Sequence, residues 1–186
     1  MDLLKNTFFI NLESRIDRLE HAEKEFEKLG IEAERVNARK NHNGALGCTF
    51  SHIACLQLAK KRNYEHVFIC EDDICFKDPE LLKTNLEKFQ TNCDFIWNMI
   101  VIGGNNVPPY QKLSDYHIRI FQCQTTTGYL VKSHYYDVLI KNYKEGLLHL
   151  RKEPARHIDF AIDRYWLQLQ KTDNWYLIVP WSVVQL

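Results

Sequence analysis

Three consecutive carboxylates, Glu71, Asp72 and Asp73, close the apolar run Val67-Phe68-Ile69-Cys70 and precede a second run, Ile74-Cys75-Phe76. Like charges repel, and a partly buried strand end makes each charge costlier, so this crowding calls for a cation. In an extended segment, alternation puts Glu71 and Asp73 on one side and Asp72 on the other. Such a pair suits a hard divalent ion, Mg²⁺ or Mn²⁺, that keeps part of its coordination shell for phosphate oxygens. The plain alternative is a solvated acidic turn leading into the helix that Asp78-Pro79 opens.

Alternating elements must carry these groups. Residues 7–12 (TFFINL) form a short strand-like run, and Ser14 with Asp17 resembles a capping box for a helix burying Ile16, Leu19, Ala22, Phe26 and Leu29, which ends at Gly30. A strand AERVNA follows. A helix entered through Gly44 and Gly47 carries Thr49 or Ser51 in its first turn and ends in basic residues, which suits the helix dipole. HVFIC reads as a strand buried on both faces, as parallel sheets require. Further strands are expected in FIWNMIVIGG, HIRIF, GYLV and WYLIVP, with helices near 133–143 and 158–170. The pattern predicts an α/β fold, a Rossmann-like, mostly parallel mixed sheet flanked by helices. Ligands then bind at the carboxyl ends of the strands, where the acidic triplet lies.

Composition excludes several classes. The 186 residues fit one domain, 1–186, with 24 basic and 24 acidic side chains and no basic block. That argues against a general nucleic-acid binder or an electrostatic membrane anchor. No apolar run is long enough to span a bilayer and the first residues make a poor signal peptide, so the expectation is a soluble, cytoplasmic chain. Cys48, Cys55, Cys70, Cys75, Cys93 and Cys123 lack the paired short spacing of a zinc site and read as buried free thiols.

Three ordered blocks resemble glycosyltransferase family 25, the lipooligosaccharide and procollagen galactosyltransferase group. They are Ile10-Asn11-Leu12 with Arg15 and Asp17-Arg18, then the Gly-x-x-Gly-Cys-x-x-Ser-His block from Gly44 to His52, then Glu71-Asp72-Asp73. Downstream, TTTGYLVKSHYYDVLI and Ile158-Asp159 are similar to later family segments, so the resemblance runs from about residue 7 to 184. It implies a GT-A type fold and a UDP-sugar donor of galactose or glucose, with inversion at the anomeric carbon. It also implies a glycan or protein hydroxyl as acceptor and a divalent metal, Mn²⁺ or Mg²⁺, held by Glu71 and Asp73.

On that resemblance Asn11, Leu12, Arg15, Arg18 and Asp72 are donor-side candidates. Gly47, Ser51 and His52 join them at a helix N-terminus, whose unpaired amides favour anions. Asp159 is the candidate general base, and Asp163, one helical turn later, competes with it. Thr125, Thr126, Thr127 and Tyr129 are placed on the acceptor side. Trp97, Trp166, Trp175 and Trp181 stack on a sugar or fill the core. No His or Asp follows Asp173 to complete a metal's shell from late in the chain. Two rivals stand beside this reading, a GT-A-like domain that binds nucleotide or glycan without turnover and a Mg²⁺-dependent phosphohydrolase. The latter wants a nucleophilic Asp where Glu71 stands.

Overall fold

The structure, a computed structural model, describes residues 3–92 and 94–186. Cys93, one of the expected thiols, lies outside them. In chain order the first elements are β1 (Thr7–Asn11), α1 (Ile16–Leu29), β2 (Glu34–Asn37), α2 (Gly44–Lys61), β3 (His66–Glu71), β4 (Ile74–Phe76) and α3 (Pro79–Asn92). Then come β5 (Met99–Val101), β6 (Asn105–Asn106), β7 (Tyr110–Lys112), β8 (His117–Ile120), β9 (Cys123–Gln124) and β10 (Gly128–Lys132). The last are α4 (Tyr136–Lys152), α5 (His157–Phe160), α6 (Ile162–Tyr165), α7 (Leu167–Gln170), β11 (Trp175–Ile178) and β12 (Val183–Gln185).

Eight strands form one sheet in the order β2-β1-β3-β10-β5-β11-β8-β7. β10 and β8 pair antiparallel with both neighbours, so the other six run one way. The sheet is thus mixed and mostly parallel, with helices on its faces, as the alternating pattern predicts. β3 is buried from His66 to Cys70 because both of its faces are covered. Val67 and Ile69 join Val101, Tyr129 and Leu177 in a core with Leu56 of α2 and Leu139 of α4. Phe68 and Cys70 join Ile100 and Leu130 in a second core with Phe26 of α1 and Phe89 of α3. Glu71 continues the odd-numbered series and so emerges on the α2 side.

Local capping departs from the expectations in two places. Neither Ser14 nor Arg15 caps α1 through a side chain, and Ile16 is 63% exposed because the helix starts at the rim of the sheet. At α2, Asn43 is the cap, its Oδ1 accepting the Ala45 amide at 3.0 Å. Asp78 does cap α3, accepting the Leu81 amide.

The helix expected over 158–170 is three short ones. Ala161, with φ −58° and ψ 153°, breaks α5 from α6, and Ile162 and Trp166 turn into the core. The helix expected at 133–143 is a 3₁₀ turn, Ser133–Tyr135, followed by the longer α4. Cys55, Cys70, Cys75 and Cys123 are buried and Cys48 half-buried, all as free thiols. Among the described residues, no helix is long and apolar enough to cross a membrane.

Candidate active site

The acidic triplet is not one extended run. β3 ends at Glu71, and Asp72-Asp73 form a turn into β4, which pairs with β12. The expected alternation is therefore corrected: the turn directs Asp72 and Asp73 toward α1, while Glu71 faces α2.

Glu71 is held by three donors. His52 Nε2 lies 3.2 Å and Cys48 Sγ 3.6 Å from its Oε1, and the Thr126 hydroxyl donates to the same oxygen. Burial pushes the Glu71 carboxyl up, but the His52, Thr126 and Cys48 contacts outweigh it, so the group stays ionised more readily than an ordinary glutamate. Burial pushes the Cys48 thiol well above its usual range, and the Glu71 charge adds to that. Behind His52, Nδ1 lies 2.8 Å from the Tyr129 hydroxyl, and the two rings stack.

Asp72 and Asp73 share Arg18, whose Nη1 is 2.9 Å from Asp72 Oδ1 and 3.0 Å from Asp73 Oδ2. Asn11 Nδ2 donates to Asp72 Oδ2 at 2.7 Å. The last residues of the chain reach Asp73, with Gln185 Nε2 3.2 Å from Oδ2 and the Leu186 amide 3.0 Å from the backbone oxygen. Asp73 Oδ1 is buried with no hydrogen-bond partner. Burial, together with the nearby Glu71 charge, raises the Asp73 carboxyl above its ordinary range.

A cleft of about 360 Å³ opens over Glu71 and Asp72. Its other walls carry Arg15, Arg18, Arg39 and Lys40, and the first turns of α2 with Gly44 and Gly47. Gly47 is required for packing: a Cβ there would meet the Arg39 carbonyl oxygen at 2.5 Å. Ser51 is fully engaged, its hydroxyl accepting the Arg39 amide at 2.8 Å and donating to the Gly47 carbonyl. These two residues hold the segment with Arg39 and Lys40 against the helix N-terminus.

The structure thus brings together Asn11, Leu12, Arg15, Arg18, Gly47, Ser51, His52, Glu71 and Asp72 around the cleft, with Asp73 beside them. Arg15 is turned partly aside, its guanidinium pairing with both oxygens of Asp17. Two acceptor-side expectations are corrected: Thr127 and Tyr129 are 0% exposed and lie beneath the site. Asp159 is exposed and ion-paired with Arg156 at 2.9 Å, away from these groups, because the break at Ala161 removes it from the face of Asp163. Asp163 accepts the Thr125 amide at 3.1 Å, next to the threonine that holds Glu71. Thr125 has φ +83°, a strained conformation for a β-branched residue, at this junction. Trp97, Trp166 and Trp175 are core residues and Trp181 is 62% exposed.

Sequence reasoning missed Cys48, Arg39 and Lys40 as site residues. The signal was present, two cations just before the glycine block and a cysteine one turn before His52 on one helical face.

The model of glycosyltransferase family 25 (LPS biosynthesis protein) matches residues 39–150. The chain belongs to this family of sugar-transferring proteins. No curated protein sequence matches it. A crystal structure of a glycosyltransferase involved in glycosylation of the major capsid of PBCV-1 is similar at 8% identity, with a TM-score of 0.48 over 94% of this chain and 91% of that one. A Drosophila β1,4-galactosyltransferase 7 mutant, in complex with manganese, UDP-Gal and xylobiose, gives 13% identity and a TM-score of 0.42 over 80% of this chain and 61% of that one.

Proposed function

We propose that this chain transfers a hexose, galactose or glucose, from a UDP-sugar to a hydroxyl of a glycan or a hydroxylated side chain, with inversion. The observation that carries this reading is the cleft at the carboxyl edge of the sheet. One wall offers Arg39, Lys40 and the N-terminus of an 18-residue helix, and the facing wall offers Glu71 and Asp72. Among the described residues Arg39 and Lys40 form no ion pair, so their charges are free for the oxygens of a diphosphate. Arg18 is already committed to two carboxylates and orders the turn beneath them.

A divalent metal fits the carboxylates in one respect: Asp73 Oδ1 is buried without a donor and its charge is under-compensated. Asp73 and Glu71 would hold the ion once the turn, which directs them toward α1 and α2, brings the two carboxylates together. Bound there, it would neutralise charge on the departing nucleoside diphosphate. On the acceptor side, Asp163 is placed better than Asp159 to take the hydroxyl proton, being half-buried beside Thr125 and Thr126. The free thiols suit a reducing compartment, the cytoplasm.

Thermal unfolding with a panel of nucleotide sugars, each with Mn²⁺ and with a chelator, tests the reading. At about 100 times Kd a ligand adds roughly 2.7 kcal/mol, raising Tm by about 5–10 °C for a chain of this size. A rise selective for one UDP-hexose, followed by transfer to a hydroxyl with the opposite anomeric configuration, is expected. Absence of a shift with every nucleotide sugar overturns it.

A further inference from the structure

We propose that Cys48, His52 and Glu71 form a binding site for a borderline-soft divalent cation, Zn²⁺ above others, in the inner wall of the cleft. Cys48 and His52 stand four residues apart on α2, one above the other on a single face, and β3 delivers Glu71 to that face. Among the described residues this is the one group of three whose ligand atoms all lie within 4.8 Å of one another. Zinc bonds of about 2.0–2.3 Å at tetrahedral angles make ligand-to-ligand edges of about 3.3–3.7 Å. The separations from Glu71 Oε1, 3.2 Å to His52 Nε2 and 3.6 Å to Cys48 Sγ, are already close to those edges. The third separation, between His52 Nε2 and Cys48 Sγ, is within 4.8 Å.

The surroundings are those of a ligand set. The far nitrogen of His52 meets the Tyr129 hydroxyl at 2.8 Å in a fully buried position, which fixes the ring with Nε2 toward the cleft. Thr126 orients the Glu71 carboxylate. All three ligands line the cleft, so a fourth position is open to water or a phosphate oxygen. Without the ion, thiol and imidazole share one carboxylate oxygen. On binding, the thiol surrenders its proton to solvent and its sulfur bonds the metal as thiolate, while the imidazole proton passes from Nε2 to Nδ1, where it is donated to the Tyr129 oxygen. A thiolate and an imidazole select Zn²⁺ and Co²⁺ over Mg²⁺. Glu71 belongs both to this set, through Oε1, and to the carboxylate pair of the transfer reaction. The site itself does not rest on the donor assignment.

Cobalt tests it without any nucleotide. The full chain is titrated with Co²⁺, and absorption is read for a thiolate-to-cobalt band in the near ultraviolet and ligand-field bands in the visible. Both are expected, displaced by Zn²⁺ and unaffected by excess Mg²⁺. Cys48→Ser should abolish the thiolate band, whereas Cys75→Ser in β4 should keep it. Tyr129→Phe, with all ligands intact, should weaken Zn²⁺ binding about tenfold. Lack of both bands in the native chain, or a thiolate band that survives Cys48→Ser, overturns the proposal. If Cys48→Ser does not fold by circular dichroism, Glu71→Gln decides: unchanged cobalt spectra and affinity overturn it, and loss of the visible bands supports it.

Discussion

Gly47 and the carbonyl oxygen of Arg39 approach so closely that a Cβ at position 47 would stand 2.5 Å from that oxygen. The contact locks the Arg39-Lys40 segment to the first turn of α2, and Ser51 completes the lock through the Arg39 amide. Gly47→Ala should push the segment outward at a cost of about 1–3 kcal/mol. Ser51→Ala should deprive the part-buried Arg39 amide of its acceptor, at about 0.5–1.5 kcal/mol. Steady-state kinetics should show donor KM rising more than kcat falls in both variants. An unchanged donor KM in both would remove the segment from the donor site.

Arg39→Ala and Lys40→Ala should each raise donor KM with little effect on Tm, since neither side chain has an ion pair to lose among the described residues. The penalty should shrink as salt screens the diphosphate, with a Debye length near 8 Å at about 0.15 M. A KM series across ionic strength checks this.

Glu71 and Asp73, two residues apart, respond to pH with opposite signs. The folded-state affinity of Glu71 for a proton is lowered, so its contribution to stability is present above the unfolded pKa and is lost as pH falls through the folded one. For Asp73 it is raised, so its contribution is present below the unfolded pKa and is lost as pH rises through the folded one. Asp73→Asn should therefore raise Tm near neutral pH by about 2–4 °C, on the order of 1 kcal/mol, while abolishing transfer. The gain should vanish in acid. Glu71→Gln should lower Tm near neutral pH. Calorimetry across pH reads both, and a Tm loss for Asp73→Asn at neutral pH would contradict the assignment.

Asp163→Asn should cut kcat by about 10²–10⁴-fold if it takes the acceptor proton. Asp159→Asn should leave kcat nearly unchanged, since it breaks only an exposed pair with Arg156, worth less than about 1 kcal/mol. The reverse result would move the base to Asp159.

Tyr129→Phe should cost about 1–3 kcal/mol, because His52 is fully buried and its Nδ1 loses its partner. A loosened His52 also loosens Glu71, so kcat should fall even where the donor saturates the enzyme. Denaturant unfolding and kinetics on the same preparation separate the two effects.

Local pattern determined much of this molecule. β1, α1, α2, β3, α3 and β10 are legible because hydrophobic period, glycine stops and the Asp78-Pro79 start are properties of short stretches. The same holds for the acidic triplet and the glycine block, whose residue types announce charge and close approach. Tertiary structure decided what those residues face. Asp72 and Asp73 leave the strand because β4 pairs with β12, and Gln185 reaches Asp73 across 112 positions of sequence. Tyr129 reads like any polar-tipped strand residue until β10 is inserted beside β3, which buries it under His52. Asp159 and Asp163 share a face in an ideal helix. They part because burying Ile162 and Trp166 is worth more than continuing the helix through Ala161, a balance of core burial against local hydrogen bonds that no window of sequence contains.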